Sequence, residues 1–357
     1  MVLRLYKTRN IYCIILIAIL FLWHNFAGAQ VITGVVCDQD SKLPVPDVYI
    51  YLDGTSVSTI TDNSGKFELK TNSVMNTILV LHHLSYEPAF ISRPFDGLPD
   101  TLYIKERIIT IEEVTVRADQ FTREQKIKAF REQFLGTTRA GLSCTIENED
   151  DIELTVNTQT QRLFAFSDKP IVVVNNYLGY KISFILIDFQ VQYRNVETIG
   201  LGSDNAQNIF FAVVSSFTDL NPESSRMKRR RNAVYEQSPN YFFKSFANGT
   251  LNENNFIILD GVLTAQNYFA IKDTLSQKII SIMPNANISK PYLVNSESQS
   301  LGMISVLHRK TDQTTINFMT DSFWVDRYGN IDQIDKIVFT GQMGKNRAGG
   351  MLPIDYE

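Results

Sequence analysis

Thr61-Asp62-Asn63-Ser64-Gly65-Lys66-Phe67 is the stretch that decides how the first hundred residues fold. Asp62 and Asn63 can hydrogen-bond back to their own backbone, and Gly65 can take φ > 0 without a Cβ clash, so the segment is suited to reversing the chain. Short apolar runs flank it, Val48-Tyr49-Ile50-Tyr51 before and Thr77-Ile78-Leu79-Val80-Leu81 after. Turn chemistry between apolar runs predicts a β-hairpin in a small sandwich.

Working outward, Val31-Ile32-Thr33-Gly34-Val35-Val36-Cys37 reads as an earlier strand, separated from Val48 by a polar loop with Pro44 and Pro46. Further runs at Thr77–His82, Pro88–Ile91, Thr101–Ile104 and Glu113–Val116 bring residues 30–118 to about seven strands, enough for a two-sheet core without a helix.

Five segments carry a family resemblance: Gly34-Val35-Val36, Leu43-Pro44-Val45-Pro46-Asp47-Val48, the Thr61–Phe67 turn, Leu84-Ser85-Tyr86-Glu87, and Ile111-Glu112-Glu113-Val114-Thr115-Val116. Together they resemble the carboxypeptidase-regulatory-like family, whose fold is a transthyretin-like β-sandwich found in many exported bacterial proteins. Leu84-Ser85-Tyr86 departs from the Gly that the family usually places before the Tyr. The same module precedes the plug of outer-membrane receptors, but about 240 residues follow here, too few for a 22-stranded barrel with strands of roughly ten residues.

Residues 119–357 are expected to form a second, β-rich (α+β) domain. Thr122 can cap a helix near 122–135, with Gln125 completing a capping box, Ile127, Phe130 and Phe134 on one face, and Gly136 at the end. This amphipathic linker must dock on the next domain. Strands are predicted at Ile152–Val156, Leu163–Phe166, Ile171–Val174 and Lys181–Tyr193. In the last, Ile185, Ile187, Phe189, Val191 and Tyr193 alternate with Asp188, Gln190 and Gln192. A second helix is expected near 239–248, with Ser238 as N-cap, Pro239 at its first position and Gly249 beyond its end. Phe256–Leu259, Ile304–His308, Ile316–Met319 and Ile337–Phe339 read as later strands, and Asp326-Arg327-Tyr328-Gly329-Asn330 as a turn. Phe134-Leu135-Gly136, Cys144-Thr145-Ile146-Glu147-Asn148, Asn176 to Ile182, Arg229 to Phe243, and the stretches Val325 to Asn330 and Leu352 to Glu357 resemble an uncharacterised domain that commonly follows the sandwich, a resemblance that implies no activity.

With 44% hydrophobic and 20% charged residues over 357 positions, the chain can bury more than one core. Arg4, Lys7 and Arg9 precede the apolar run Ile11 to Trp23 and then Ala27-Gly28-Ala29, the order of a secretory signal peptide spanning residues 1–29. The mature chain then carries 31 Lys+Arg against 38 Asp+Glu, a net charge of −7 that argues against nucleic acid as a partner. No Cys stands at the first mature position to take a lipid. The expected location is the periplasm or cell surface of a Gram-negative-type bacterium, with no transmembrane span after cleavage. Cys37 and Cys144 remain, as a possible disulfide or as two buried thiols.

Zinc-carboxypeptidase chemistry needs His-x-x-Glu and a distant His. Mature histidines are His82, His83 and His308; none opens that motif, and adjacent His82 and His83 point to opposite faces of a strand. Serine-hydrolase and nucleotide-binding motifs are absent from the sequence. A Cys144–His308 pair could meet only in space. Glu147, Glu149, Asp150, Asp151 and Glu153 lack calcium-loop spacing and read as a solvated turn. Tyr241, Phe242, Phe243 and Phe246 read as core. Arg226, Lys228, Arg229, Arg230 and Arg231 form a basic cluster, either a solvated loop with structural ion pairs or a partner surface at Lys228, Arg229, Arg230 and Arg231 for an envelope protein, glycan or lipid headgroup.

These features give no catalytic, cofactor or metal residues. They favour a non-enzymatic binding or assembly module of the cell envelope over an envelope hydrolase, carboxypeptidase-associated or other, with a site dispersed through the second domain. The signal order predicts that protein recovered from the exported fraction begins at Gln30. Intact-mass measurement checks this, and a mass retaining residues 1–29 contradicts it.

Overall fold

A computed structural model describes residues 30–72, 75, 77–107, 120–259, 269–274, 277–283 and 301–356. The expected leader and the expected strand Glu113–Val116 lie outside these residues. The architecture is mainly β. Among the described residues no helix is long and apolar enough to cross a membrane.

The first unit has strands β1 (Gln30–Asp38), β2 (Tyr49–Leu52), β3 (Ser58–Ile60), β4 (Lys66–Thr71), β5 (Ile78–His82), β6 (Ala89–Ser92) and β7 (Thr101–Ile104). They form two sheets, ordered β4-β1-β7 and β3-β2-β5-β6, around Ile32, Val36, Ile50, Leu52, Leu69 and Leu79. The sandwich expected from the sequence is present, and its two deciding apolar runs pair with each other, Ile50 opposite Leu81.

The deciding turn forms, but it is not a hairpin. Asp62 Oδ1 accepts from the backbone N–H groups of Ser64 and Lys66, and Gly65 sits at φ 70°. The chain then crosses from one sheet to the other, β3 pairing with β2 and β4 with β1. Buried Thr61 fixes the crossing, its hydroxyl donating to the Val45 carbonyl and accepting from Val48 N–H. A Cβ on Gly65 would meet the Val36 carbonyl at 2.5 Å, so the turn lies against β1.

Beyond it, α1 (Arg123–Phe134) has the expected capping box of Thr122 and Gln125. It packs on a six-stranded sheet of β8 (Cys144–Ile146), β9 (Glu153–Asn157), β10 (Arg162–Phe166), β11 (Ile171–Asn175), β12 (Tyr180–Tyr193) and β13 (Ala206–Asp219). Phe130 and Phe134 meet Phe189 and Phe184 with ring centroids 4.9 and 5.4 Å apart. This edge-on packing supplements simple burial. On one edge β12 pairs successively with β11 and β10, and on the other with β13 along its length. A short α2 (Val196–Ile199) lies between β12 and β13.

The alternation expected along β12 breaks at a register shift between Leu186 and Asp188. Before it, Tyr180, Ile182, Phe184 and Leu186 face the core; after it, Phe189, Val191 and Tyr193 do. Ile187, expected inward, is 54% exposed. One inserted residue switches the face of everything on one side of it.

After α3 (Ser225–Tyr235), the helix expected near 239–248 is α4 (Pro239–Ala247), capped by Ser238. It seats Phe242, Phe243 and Phe246 in a third core. The strands around that core are β14 (Phe256–Ile258), β15 (Phe269–Asp273), β16 (Gln277–Ile282), β17 (Gly302–His308), β18 (Asp312–Phe318), β19 (Ser322–Asp326) and β20 (Ile337–Gly341), in sheets ordered β14-β17-β18-β20 and β15-β16-β19.

The sandwich docks on the edge of β13. Gly54 N–H donates to the Ser215 carbonyl at 2.7 Å, Phe217 N–H to the Thr55 carbonyl at 2.8 Å, and Ser215 N–H to Asp53 Oδ1 at 2.7 Å. Tyr51 and Val80 bury Val214 in a small shared cluster. The segment 348–356 ties the units together. Ala348 joins the six-stranded core, Asn175 donates its amide to the Gly349 carbonyl, Ile354 N–H donates to the Gly54 carbonyl, and Tyr356 packs on Tyr235 of α3. At Gly349 a Cβ would meet the Leu135 carbonyl at 2.5 Å, so only glycine allows this approach.

Asp53 at this junction has backbone donors but no cation among its described contacts. Burial pushes its carboxyl up to about 6, against hydrogen bonds from Ser215 and Gly54 that act the other way. The folded chain therefore keeps a proton that the unfolded chain releases near pH ~4, and stability through this group falls as pH rises from about 4 to 6. Asp53→Asn keeps an oxygen for Ser215 N–H and removes the charge. It is expected to stabilise the protein by about 2 kcal/mol at pH 7 and by little at pH 4. Paired thermal melts of both proteins across this range check it; a constant difference contradicts it.

Candidate functional site

The basic cluster is not a loop. It is α3, capped where the Ser224 hydroxyl accepts from Met227 N–H. Between Leu220 and Tyr235 the sequence carries five cations and one acid, Glu223. The helix divides these cations by face. Met227, Arg230, Arg231, Val234 and Tyr235 turn inward with the i, i+3, i+4, i+7, i+8 spacing of a buried stripe, while Arg226, Lys228 and Arg229 are exposed.

Arg231, expected on a partner surface, is buried with 6% exposure. Its Nη1 and Nη2 donate to both carboxylate oxygens of Asp219 at 2.6 and 2.7 Å, and its Nε to the Leu178 carbonyl at 2.7 Å. Its guanidinium lies 3.9 Å from the Tyr180 ring centroid. Burial pushes the Asp219 carboxyl up, but hydrogen bonds from Arg231 and Asn221 outweigh it, so the group sits below the usual carboxylate range. Arg231 fastens α3 to the β11–β12 turn and the end of β13. Arg230 is half-buried, donating to the Tyr177 carbonyl and stacking 4.5 Å from that ring.

Lys228 and Arg229 stay outward, with Arg226, and make no ion pair among the described residues. Exposed Arg139 lies 5.2 Å from the centroid of the Tyr177 ring that also carries Arg230. The first turn of α3 has no acid, so Arg226 adds positive charge where the helix dipole is already positive. The outcome is a cationic surface on a helix held by a buried ion pair.

The other sequence candidates fall apart spatially or are already engaged. Cys37 and Cys144 are both free thiols. Cys144 Sγ donates to the Ala140 carbonyl, and burial pushes its thiol up to about 12, which suppresses the thiolate. His308 is buried and stacked 4.3 Å from the Phe256 ring in the third core, with its pKa lowered chiefly by burial. Cys144 instead borders the six-stranded core. The acidic run is a paired surface: Glu147 with Lys181, Glu149 with Arg131, and Asp151 with Lys169. Among the described residues no group of three His, Cys, Asp or Glu side chains could hold a metal ion. Clefts of about 590, 280 and 490 Å³ lie beside Asp62 and Lys66, beside Arg162 and Gln192, and beside Asn252 and Arg309; neither Cys144 nor His308 lines them.

Residues 32–116 match the family model of the CarboxypepD_reg-like domain, the resemblance read from the sequence. That domain is a non-catalytic fold, of the regulatory or binding class. A comparison with curated proteins finds no match for the chain.

Arg231→Met is expected to cost about 3 kcal/mol, because it strands the Asp219 carboxylate and leaves the Leu178 carbonyl without its donor. Arg229→Ala, two residues away, is expected to change stability by less than about 0.5 kcal/mol. Urea melts of the two variants check the contrast; equal effects contradict the division of α3 into a structural and a free face.

Proposed function

We propose that the protein is a non-enzymatic binding module of the cell envelope that takes an anionic partner on the outward face of α3. The observation that carries this reading is the helix itself: Arg231 and Arg230 seat it, while Arg226, Lys228 and Arg229 remain unpaired among the described residues on a chain of net negative charge. Unneutralised cations on a rigid element attract phosphate or carboxylate groups, and the neighbouring Arg139 widens the patch. The leader expected over residues 1–29 supports an envelope address, and the CarboxypepD_reg-like domain supports a binding role.

The test is co-sedimentation of the chain from Gln30 with vesicles containing anionic phospholipid, with purely zwitterionic vesicles, and with an immobilised acidic polysaccharide. Binding to one of the two anionic surfaces is expected, weakening with salt and falling roughly ten-fold when Arg226, Lys228 and Arg229 are changed together to Gln. The two arms separate phosphate from carboxylate recognition. Arg231 is left intact, because neutralising it would unseat the helix. Unchanged binding in the triple variant, or turnover of envelope peptides or glycans by the wild type, overturns the proposal.

A further inference from the structure

Among the described residues, the outer edge of β13 is used for only part of its length. Ser215 and Phe217 direct their backbone groups away from β12, toward Asp53, Gly54 and Thr55. Alternate residues of a strand point their amides to the same edge, so Ile209, Phe211 and Val213 present the same edge in continuation, as far as Gln207, the residue inserted in β13 at the second register shift. Among the described residues nothing pairs with it there; the one bridge on this side of β13 joins Ser216 to Thr55.

Open edges are normally blunted by charges, proline or an inserted residue. This one has none of the first two. From Ala206 to Thr218 the sequence AQNIFFAVVSSFT contains no charged residue, no Pro and no Gly. The register shifts of the β12–β13 ladder fall between Leu186 and Asp188 and between Gln192 and Tyr193, leaving Asn208 to Ala212 in regular pairing. The far end of this edge already exchanges main-chain hydrogen bonds with the chain's own segment 53–55.

We propose that a second copy of this chain occupies the rest, with β13 of one protomer pairing antiparallel to β13 of its partner. A two-fold axis at Phe210 brings Ile209 of each protomer opposite the partner's Phe211. Each of these pairs joins two residues whose amides face the edge, so the ladder closes with its hydrogen bonds in register. The same axis sets Phe210 directly across from the partner's Phe210 in the closer, non-hydrogen-bonded type of pair, where aromatic side chains attract. Phe210 is 48% exposed, far more than the core-facing aromatics of β13. An uncharged edge also favours self-pairing, because a two-fold axis sets like against like and a charge near it would meet its own copy. Joining the edges yields one continuous twelve-stranded sheet from two of the six-stranded sheets seen here.

The test is sedimentation velocity of the chain from Gln30 over a wide dilution series, with hydrogen exchange on the same samples. A dimer is expected, with amides of the 206–213 segment protected when concentrated and exposed on dilution. Phe210→Lys places two like charges across the axis and is expected to raise the dissociation constant by roughly ten-fold or more. Ile209→Pro removes a donor that faces the edge, and is expected to act in the same direction. Phe90→Lys, the same change at a similarly exposed aromatic on β6, is expected to leave the dimer intact. A monomer at every concentration overturns the proposal, including one that takes up an added extended peptide along this edge. So does a dimer whose 206–213 amides exchange independently of concentration, or one that both β13 variants leave unchanged.

Discussion

The structure depends on the pairing of β12 with β13, two 14-residue strands whose edges carry β10 and β11 on one side and the sandwich on the other. A strand buried on one face and hydrogen-bonded on both edges has little freedom to slide, since a slip of one residue would send Phe184 and Phe189 to solvent. β12 is fixed in this way by β10 and β11 on one side and β13 on the other. β13 is fixed by β12 along one edge and partly by the sandwich along the other. The inserted residue at Ile187 lets the ladder keep an apolar inner face on both sides of a local bend.

Two ionisable groups near the ends of this ladder show contrasting solutions to burial. Arg231 meets a carboxylate in a two-pronged geometry and spends a further donor on a main-chain carbonyl, so charge and hydrogen-bonding capacity are matched. Asp53 meets backbone N–H groups, which orient its oxygen without balancing its charge. The first arrangement holds a helix in place at all ordinary pH values. The second makes the seat of the sandwich on β13 sensitive to protons.

Local chemistry was legible in the sequence wherever one or two turns of chain contain it. Thr122 with Gln125, and Ser238 with Pro239, mark helix starts because the partners that satisfy the first N–H groups lie within three residues. The Asp62–Gly65 turn was equally plain, but not its consequence: a reversal is local, whereas pairing of β3 with β2 and of β4 with β1 is decided by which sheet each strand completes. α3 escaped notice for a different reason. Two of its core-facing positions are arginines, whose stems pack while their heads serve carbonyls and a carboxylate, so the hydrophobic period is missing although the amphipathic geometry is present. The same substitution of arginine for an apolar residue hid the structural role of Arg230 and Arg231 within the candidate site, leaving Lys228 and Arg229 as its free members. β13 was missed because Ile209 to Val214 is an apolar run without alternation, ambiguous in period until its neighbours are known.

The 348–356 segment carries a consequence for the order of events during synthesis. It contacts the sandwich at Gly54, the six-stranded unit at Asn175 and Leu135, and α3 through Tyr356, yet it leaves the ribosome after all of them. The Gly54–Ile354 hydrogen bond closes a loop spanning most of the chain, an entropic cost that is smallest once the intervening units have compacted. Vectorial folding can therefore build each core in turn while their mutual placement stays adjustable, and the 348–356 segment, made after all of them, is the latch that ends this interval.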